Sequence, residues 1–382
     1  MNKENVTCKQ KTMNYLKSLP KRYFITAFSG MALGLFCTLI AGTIVALIAS
    51  WVGDNKLGYL LNAFATLAKI LMGAGIGIGI AYKLNAKPMV VFTAAVTGLI
   101  GAFALDLVNG TLNAEAFSVI YAKAKPGNPI GSYVLALLTV EVCNLYAGKT
   151  KLDIVLIPLG MIFLSLAGIY VAWPFIKLID LFADLLVILI NAGSAVKIIT
   201  GVVIAIVMGV LLTMPTSSAA IWLSIATSNT AAANPEVFAI AGGAAVAGCA
   251  AHMVGFAVAS YRENGFGGLI SQGLGTSMLQ IPNIMKKPII MVPEIISSAV
   301  AGLVAVLLGM CCNAAGGGMG TSGLVGLFGV IESCANFSVP TVNMVLGIVL
   351  CLFVIPAVVT LLVSEFMRKK NWIKFGDMKL PD

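Results

Sequence analysis

Long apolar runs separated by short polar breaks dominate the chain. Runs with almost no charge occupy 24–51, 57–82, 90–105, 154–173, 198–215, 237–260, 289–310 and 342–363. Each reaches or approaches the ~20 residues that an α-helix needs to cross ~30 Å of hydrocarbon. The pattern therefore predicts an all-α, polytopic membrane protein. Shorter stretches at 132–145 and 175–191, the latter set off by a break at Trp173-Pro174, complete a tracing of about ten transmembrane helices.

Three stretches do not fit as full spans. After the run that ends at Pro215, Thr216-Ser217-Ser218 leads into a short apolar piece and then Ser228-Asn229-Thr230. About ten apolar residues cannot cross, so 216–230 is expected to dip in and return. The segment 266–283 contains Gly-Gly-Leu-Ile-Ser-Gln-Gly-Leu-Gly-Thr-Ser (267–277), too polar for lipid and too apolar for an ordinary loop. A further dip is expected at 314–332, where Gly-Thr-Ser recurs at 320–322. Irregular backbone persists at membrane depth only where protein buries it or a wet cavity hydrates it. Such interrupted segments are the best sequence pointer to a transporter's binding site.

Composition supports the class. The 382 residues are 59% hydrophobic and 10% charged, against about 25% charged in an average soluble domain. The net charge of +9 points away from nucleic acid once its distribution is seen. Lys3, Lys9, Lys11, Lys17, Lys21 and Arg22 precede the first run, and Arg368, Lys369, Lys370, Lys374 and Lys379 follow the last. Basic residues flanking membrane segments belong in the cytoplasm, so both termini are expected inside and the number of spans even. The domain plan is a basic cytoplasmic tail at 1–23, one transmembrane domain at 24–366 and a cytoplasmic tail at 367–382. The first run is about twice the ~7–15-residue core of a signal peptide, so no cleaved leader is expected. The eight cysteines include no Cys-x-x-Cys, and neither a metal nor another cofactor is expected.

Small residues suggest close helix packing. Gly30-x-x-x-Gly34 and Gly73-x-Gly75-x-Gly77-x-Gly79 allow helices to approach in lipid. Lys177, Asp180 and Asp184 share one helix face, either as an internal ion pair or as a coupling-ion path.

The candidate chemistry gathers between Ala247 and Leu327. A polar solute leaving water needs replacement hydrogen bonds, because an unsatisfied hydroxyl costs several kcal/mol. Thr216, Ser217, Ser218, Thr276, Ser277, Gln280, Asn283, Asn313, Thr321 and Ser322 supply neutral donors and acceptors. His252, the sole histidine, and Glu294 add titratable groups within apolar runs. An intramembrane carboxylate must be paired or neutralised. Glu294 is expected near mid-membrane, where both dips meet beside the Thr276–Asn283 stretch.

The runs Ala-His-Met-Val-Gly-Phe-Ala-Val-Ala-Ser-Tyr-Arg-Glu-Asn-Gly (251–265) and Gln-Gly-Leu-Gly-Thr-Ser-Met-Leu-Gln-Ile-Pro-Asn (272–283) resemble the EIIC-like family of the bacterial phosphotransferase system. Within it, they are similar to the perfringolysin-regulator-like subgroup. Gly-Met-Gly-Thr-Ser-Gly-Leu-Val-Gly (318–326), Ser-Ser-Ala-Ala-Ile (217–221) and Leu-Asp-Ile-Val-Leu-Ile-Pro-Leu (152–159) fit the same subgroup. The resemblance implies re-entrant hairpins, a central solute site, a bacterial cell-membrane location and a homodimer. It also implies that a glutamate and a histidine near the hairpins contact a sugar, for which Glu294 and His252 are the candidates. Both tails are short, so phosphotransfer would require separate IIA and IIB proteins.

Three functions stay open at this point. One is a permease, not itself an enzyme, for a small polar solute such as a carbohydrate or related metabolite. A second is a membrane sensor or regulator that keeps the fold. The third is an ion-coupled secondary transporter without phosphoryl transfer.

Overall fold

A computed structural model describes residues 19–112, 118, 120, 126–214 and 218–380, and every regular element among them is helical. In chain order the principal helices are α1 (Leu19–Val52), α2 (Lys56–Ile70), α3 (Met72–Lys83), α4 (Pro88–Ala102), α5 (Pro129–Tyr146) and α6 (Asp153–Asn191). They continue as α7 (Ser194–Thr213), α8 (Ser218–Ala226), α9 (Pro235–Ala259), α10 (Pro288–Leu307), α11 (Val325–Asn336) and α12 (Thr341–Lys369). Local chemistry sets many of their starts. Asn55 accepts from the Gly58 N–H, and Asn128 accepts from the N–H groups of Ile130 and Gly131. Pro88, Pro129 and Pro235 open helices where a missing N–H costs nothing.

Among the described residues, α1, α5, α6, α7, α9, α10 and α12 are each long and apolar enough to cross a membrane. The pair α2 and α3 qualifies together as a span bent by 53°, and α4 is a shorter apolar helix. This makes eight such spans if the bent pair counts as one, against the expected count of about ten.

The main difference lies at Trp173-Pro174. No break occurs there: α6 is continuous over 39 residues with Pro158 and Pro174 inside it. Proline removes one helical hydrogen bond, a loss that neighbouring helices can offset in membranes. Ala172 and Ile176, on either side of Pro174, are buried, and Ile176 packs against Gly131 of α5. At 1.5 Å per residue α6 runs to roughly 58 Å, so it outruns a perpendicular crossing of ~30 Å.

The glycine alternation in α3 has a geometric meaning. At about 100° per residue, positions 73 and 77 share one face and positions 75 and 79 share nearly the opposite one. Gly73 and Gly77 lie against Gly98 and Ala94 of α4, while Gly75 and Gly79 lie against Gly34 and Gly30 of α1. Gly101 and Gly131 continue the contact from α4 to α5. Backbone thus meets backbone across α1, α3, α4 and α5. Gly30 and Gly34 are spent inside the chain rather than on an interface between copies.

The C-terminal half follows the same rule. Gly201 lies beside Ala244, Gly248 beside Ala205 and Gly209 beside His252, so α7 and α9 run parallel. Gly302 against Ala205, and Gly201 against Val306, make α10 antiparallel to both. The end of α9 is fixed where Arg368 donates to the Ala259 carbonyl at 3.2 Å. Lys287, just before α10, pairs with Asp377 at 2.6 Å. These contacts collect 259–265, 286–290 and the C-terminal segment at one end of the bundle. The opposite end holds the start of α9, where Cys312 N–H donates to the Ala239 carbonyl, and the close of α10, where Asn343 donates to Leu308.

Replacing Gly34 or Gly77 by alanine would drive a methyl into the facing backbone. Each change is expected to lower stability by about 1–3 kcal/mol as overpacking. Gly267→Ala, where an added methyl meets nothing within 4 Å, should leave the thermal midpoint in detergent unchanged. Equal midpoints for all three variants would remove the close-packing account.

Candidate functional site

Among the described residues, three segments turn back inside the bundle. The first is α7 with α8, whose ends meet at Leu212, Ser218 and Ala219. The second is 310–324, which descends from the end of α10 before α11 leads away. The third enters from the other end: it covers Tyr261–Ile270, a tight turn at 271–280 and Ile281–Lys286. Within the expected break at 266–283 and the expected dip at 314–332 the described backbone runs as short helical pieces separated by turns. Thr216 and Ser217 lie outside the described residues.

The tips of these segments are tied to one another pair by pair. Ser218 at the first tip donates to the Gly318 carbonyl of the second at 2.7 Å. Thr213 and Ser277 join the first tip to the third, hydroxyl to hydroxyl, at 2.9 Å. Thr321 donates to the Gly273 carbonyl at 2.5 Å, and Ser322 to the Gly275 carbonyl at 3.0 Å, joining the second tip to the third. Both Gly-Thr-Ser triplets thus serve one junction. The glycines allow the turn, with Gly320 at φ +57°, and the hydroxyls satisfy backbone that no helix satisfies.

A cavity of about 250 Å³ opens at the junction, lined by all three tips and by Ile25, Ser29 and Ala32 of α1. That is just under the ~300–1,000 Å³ common for ligand sites and suits a small solute. Among the described residues, no charged side chain lines it. Ser218 and Ser322 donate to backbone and so present lone pairs to the cavity. Thr276 accepts from the Met278 N–H at 3.1 Å, which leaves its O–H free to donate. A larger cleft of about 630 Å³ sits at the turn between α1 and α2, but none of the three tips reaches it.

The sequence candidates separate into groups. Ser218, Thr276 and Ser322 line the cavity, while Ser277 and Thr321 brace it from behind. His252 is fully buried one bond further back, with Nδ1 2.8 Å from Thr213 Oγ1. Gln280 and Asn283 are engaged elsewhere: Gln280 donates to Gln272 and to the Met378 carbonyl, and Asn283 donates to Gln280 and to the Lys379 carbonyl. Asn313 stands at the far end of the second segment, donating to Glu332 at 2.6 Å and accepting from the Gly316 N–H. Glu294 does not line the cavity. It is fully buried on α10 against Gly255 of α9 and Thr360 of α12. Lys177 pairs with Asp180 at 3.8 Å, and Asp184 accepts from Thr230 at 2.5 Å.

Two contributors escaped the sequence reading. Thr213 links His252 to Ser277, and its only sequence signal is its place just before Met214-Pro215. Ser29 stands beside Gly30 on α1, and nothing local ties it to residues two hundred positions away.

The C-terminal segment folds back onto the third hairpin. Besides the two carboxamides, Asn264 donates to Met378 and accepts from the Leu380 N–H. Glu263 accepts from Arg368 and from the Gly376 N–H. Partial burial raises the Asp377 carboxyl, but Lys287 and the Lys374 N–H outweigh it and hold the group below the usual carboxylate range.

An apolar helical bundle whose interrupted segments converge on an uncharged, hydroxyl-lined cavity is the architecture of a membrane transporter. Residues 25–380 match the family described as Phosphotransferase system, EIIC, and the chain belongs to that family. EIIC proteins are the membrane component of sugar uptake and work with separate IIA and IIB components. No curated protein and no solved structure matches the chain.

Losing one tail contact tests this docking. Gln280→Ala should raise hydrogen–deuterium exchange over 376–380 about fivefold, since a hydrogen bond is worth ~1 kcal/mol net. Because the Asp377 pKa is lowered on folding, its contribution is present above the ordinary aspartate range and lost as pH falls through the lowered value. Protection should therefore stay level from neutral to mildly acidic pH and fall only in stronger acid. Unchanged exchange in Gln280→Ala would show that the carboxamide does not hold the tail.

Proposed function

We propose that this protein is an EIIC permease that moves a small, uncharged polar solute, a carbohydrate or related metabolite, through the cavity between the three tips. The observation that carries this is the lining itself. Ser29, Ser218, Thr276 and Ser322 offer hydroxyls, whereas Ile25, Leu212, Met278 and Met319 offer apolar surface. A sugar has the same two kinds of surface, hydroxyl edges and C–H faces. An ionised solute would find no countercharge there.

The tails lie on the cytoplasmic side in this reading, with IIA and IIB proteins acting from that side as separate partners. Support comes from the cations at that end: Lys149 and Lys151 after α5, Lys286 and Lys287 before α10, and Arg368 to Lys370 at the end of α12. Ile25, Ser29 and Ala32 sit near the start of α1, so the cavity lies in the half of the bundle nearest those cations. The cavity is then the inward-facing site. The functional unit is a homodimer, with its interface away from Gly30 and Gly34.

Uptake by proteoliposomes tests the path, with neutral monosaccharides and hexitols compared against sugar phosphates and amino acids. Ser322→Ala and Ser29→Ala should each weaken uptake or binding of the transported neutral compound about tenfold, a ~1.4 kcal/mol loss. Ala219→Trp, which fills the cavity, should abolish it. Full uptake in Ala219→Trp would move the path elsewhere. A thermal shift with a sugar but no uptake would favour a sensor over a permease.

A further inference from the structure

Glu294 sits in a setting that the solute cavity does not explain. Neither carboxylate oxygen has a hydrogen-bond partner among the described residues, nor do the hydroxyls of Ser297, Thr360 and Ser364. All four side chains are fully buried. Ser297 follows Glu294 by about one turn of α10, and Ser364 follows Thr360 by about one turn of α12, so each pair shares a helix face. The two faces meet at Gly255, where an added Cβ would stand 2.8 Å from Thr360 Oγ1 and 3.2 Å from Glu294 Cγ.

The hydroxyls are unusual within this protein. In an apolar helix a serine or threonine commonly bonds the carbonyl four residues back. Thr38, Thr43, Thr93, Ser165, Ser224 and Ser260 all do so, at 2.6–2.9 Å. Ser297, Thr360 and Ser364 do not. Of these three, Thr360 stands with Glu294 at Gly255, whereas Ser297 and Ser364 lie one turn away in opposite directions because α10 and α12 run antiparallel.

We propose that Glu294 and Thr360, which meet at Gly255, hold a small, hard monovalent cation of the sodium type, with Ser297 and Ser364 one turn away on opposite sides. Carboxylate and hydroxyl oxygens are the donors that hard cations take. One carboxylate balances one positive charge, whereas a divalent ion would leave a net charge within the bundle. No ion pair among the described residues includes Glu294, so the cation replaces a basic side chain. The site lies beside the solute path: His252, behind the cavity, and Gly255, against the cation site, are three residues apart on α9.

Thermal unfolding of the full-length purified protein tests this, with sodium chloride replacing choline chloride at constant ionic strength and no sugar present. The wild-type midpoint should rise with the logarithm of sodium concentration, as mass action requires, and potassium should act more weakly. Glu294→Gln, which keeps the volume, should lose the sodium-dependent rise. Thr360→Val, which keeps the shape but removes one oxygen, should shift the sodium dependence to about tenfold higher concentration. If Glu294→Gln does not fold, the Thr360→Val shift decides alone. A wild-type midpoint indifferent to sodium and potassium would overturn the site and leave Glu294 as a neutral buried acid. Because no solute enters the assay, this outcome is independent of whether the cavity carries a sugar.

Discussion

The structure depends on satisfying backbone at three places where helices stop inside an apolar bundle. A helix that ends in water can leave its last N–H and C=O groups to solvent, but one that ends among other helices cannot. Here the remedy is reciprocal. Side-chain hydroxyls on one tip serve the backbone or hydroxyls of another, through Ser218 to Gly318, Thr321 to Gly273, Ser322 to Gly275 and Thr213 to Ser277. Each segment alone would carry orphaned polar groups, and together they leave a small polar cavity. The cavity is therefore a consequence of the folding constraint.

That constraint also explains what the sequence made legible. Residues that break helices mark themselves locally, as Gly-Thr-Ser at 275–277 and 320–322 do, and both triplets fall where the described helices are interrupted. The alternating glycines of α3 likewise foretold close packing, and the structure adds that they divide between two neighbours. Pro174 misled because a proline reports a lost hydrogen bond, not whether burial on both sides will keep the helix continuous. Gln280 and Asn283 resemble solute ligands by type and position. Their partners are carbonyls almost a hundred residues away in the tail, and no local pattern encodes that pairing.

Glu294 shows the same limit from the other direction. Its rarity as a charge in an apolar run marked it correctly as unusual, but the run cannot say which helix it faces. Only the approach of α9 and α12 at Gly255 sets it with hydroxyls instead of with the tips. Intramembrane charge is thus a reliable flag and a poor coordinate.

The two kinds of contact in this molecule differ in how they can move. Helices α1, α3, α4 and α5, and separately α7, α9 and α10, meet backbone to backbone at glycines. A shift there creates clashes on one side and voids on the other, so close-packed walls move as units. The tips are joined by single hydrogen bonds worth about 1 kcal/mol net each. A sugar hydroxyl offers the same donor and acceptor as the serine or threonine it displaces, so exchanging a tip–tip bond for a tip–solute bond is close to neutral in free energy. Closure around solute and release on the far side would then rearrange the hydroxyl junction while the glycine-packed walls keep their form. His252 belongs to the close-packed part, on α9, and is bonded through Thr213 to the hydroxyl junction.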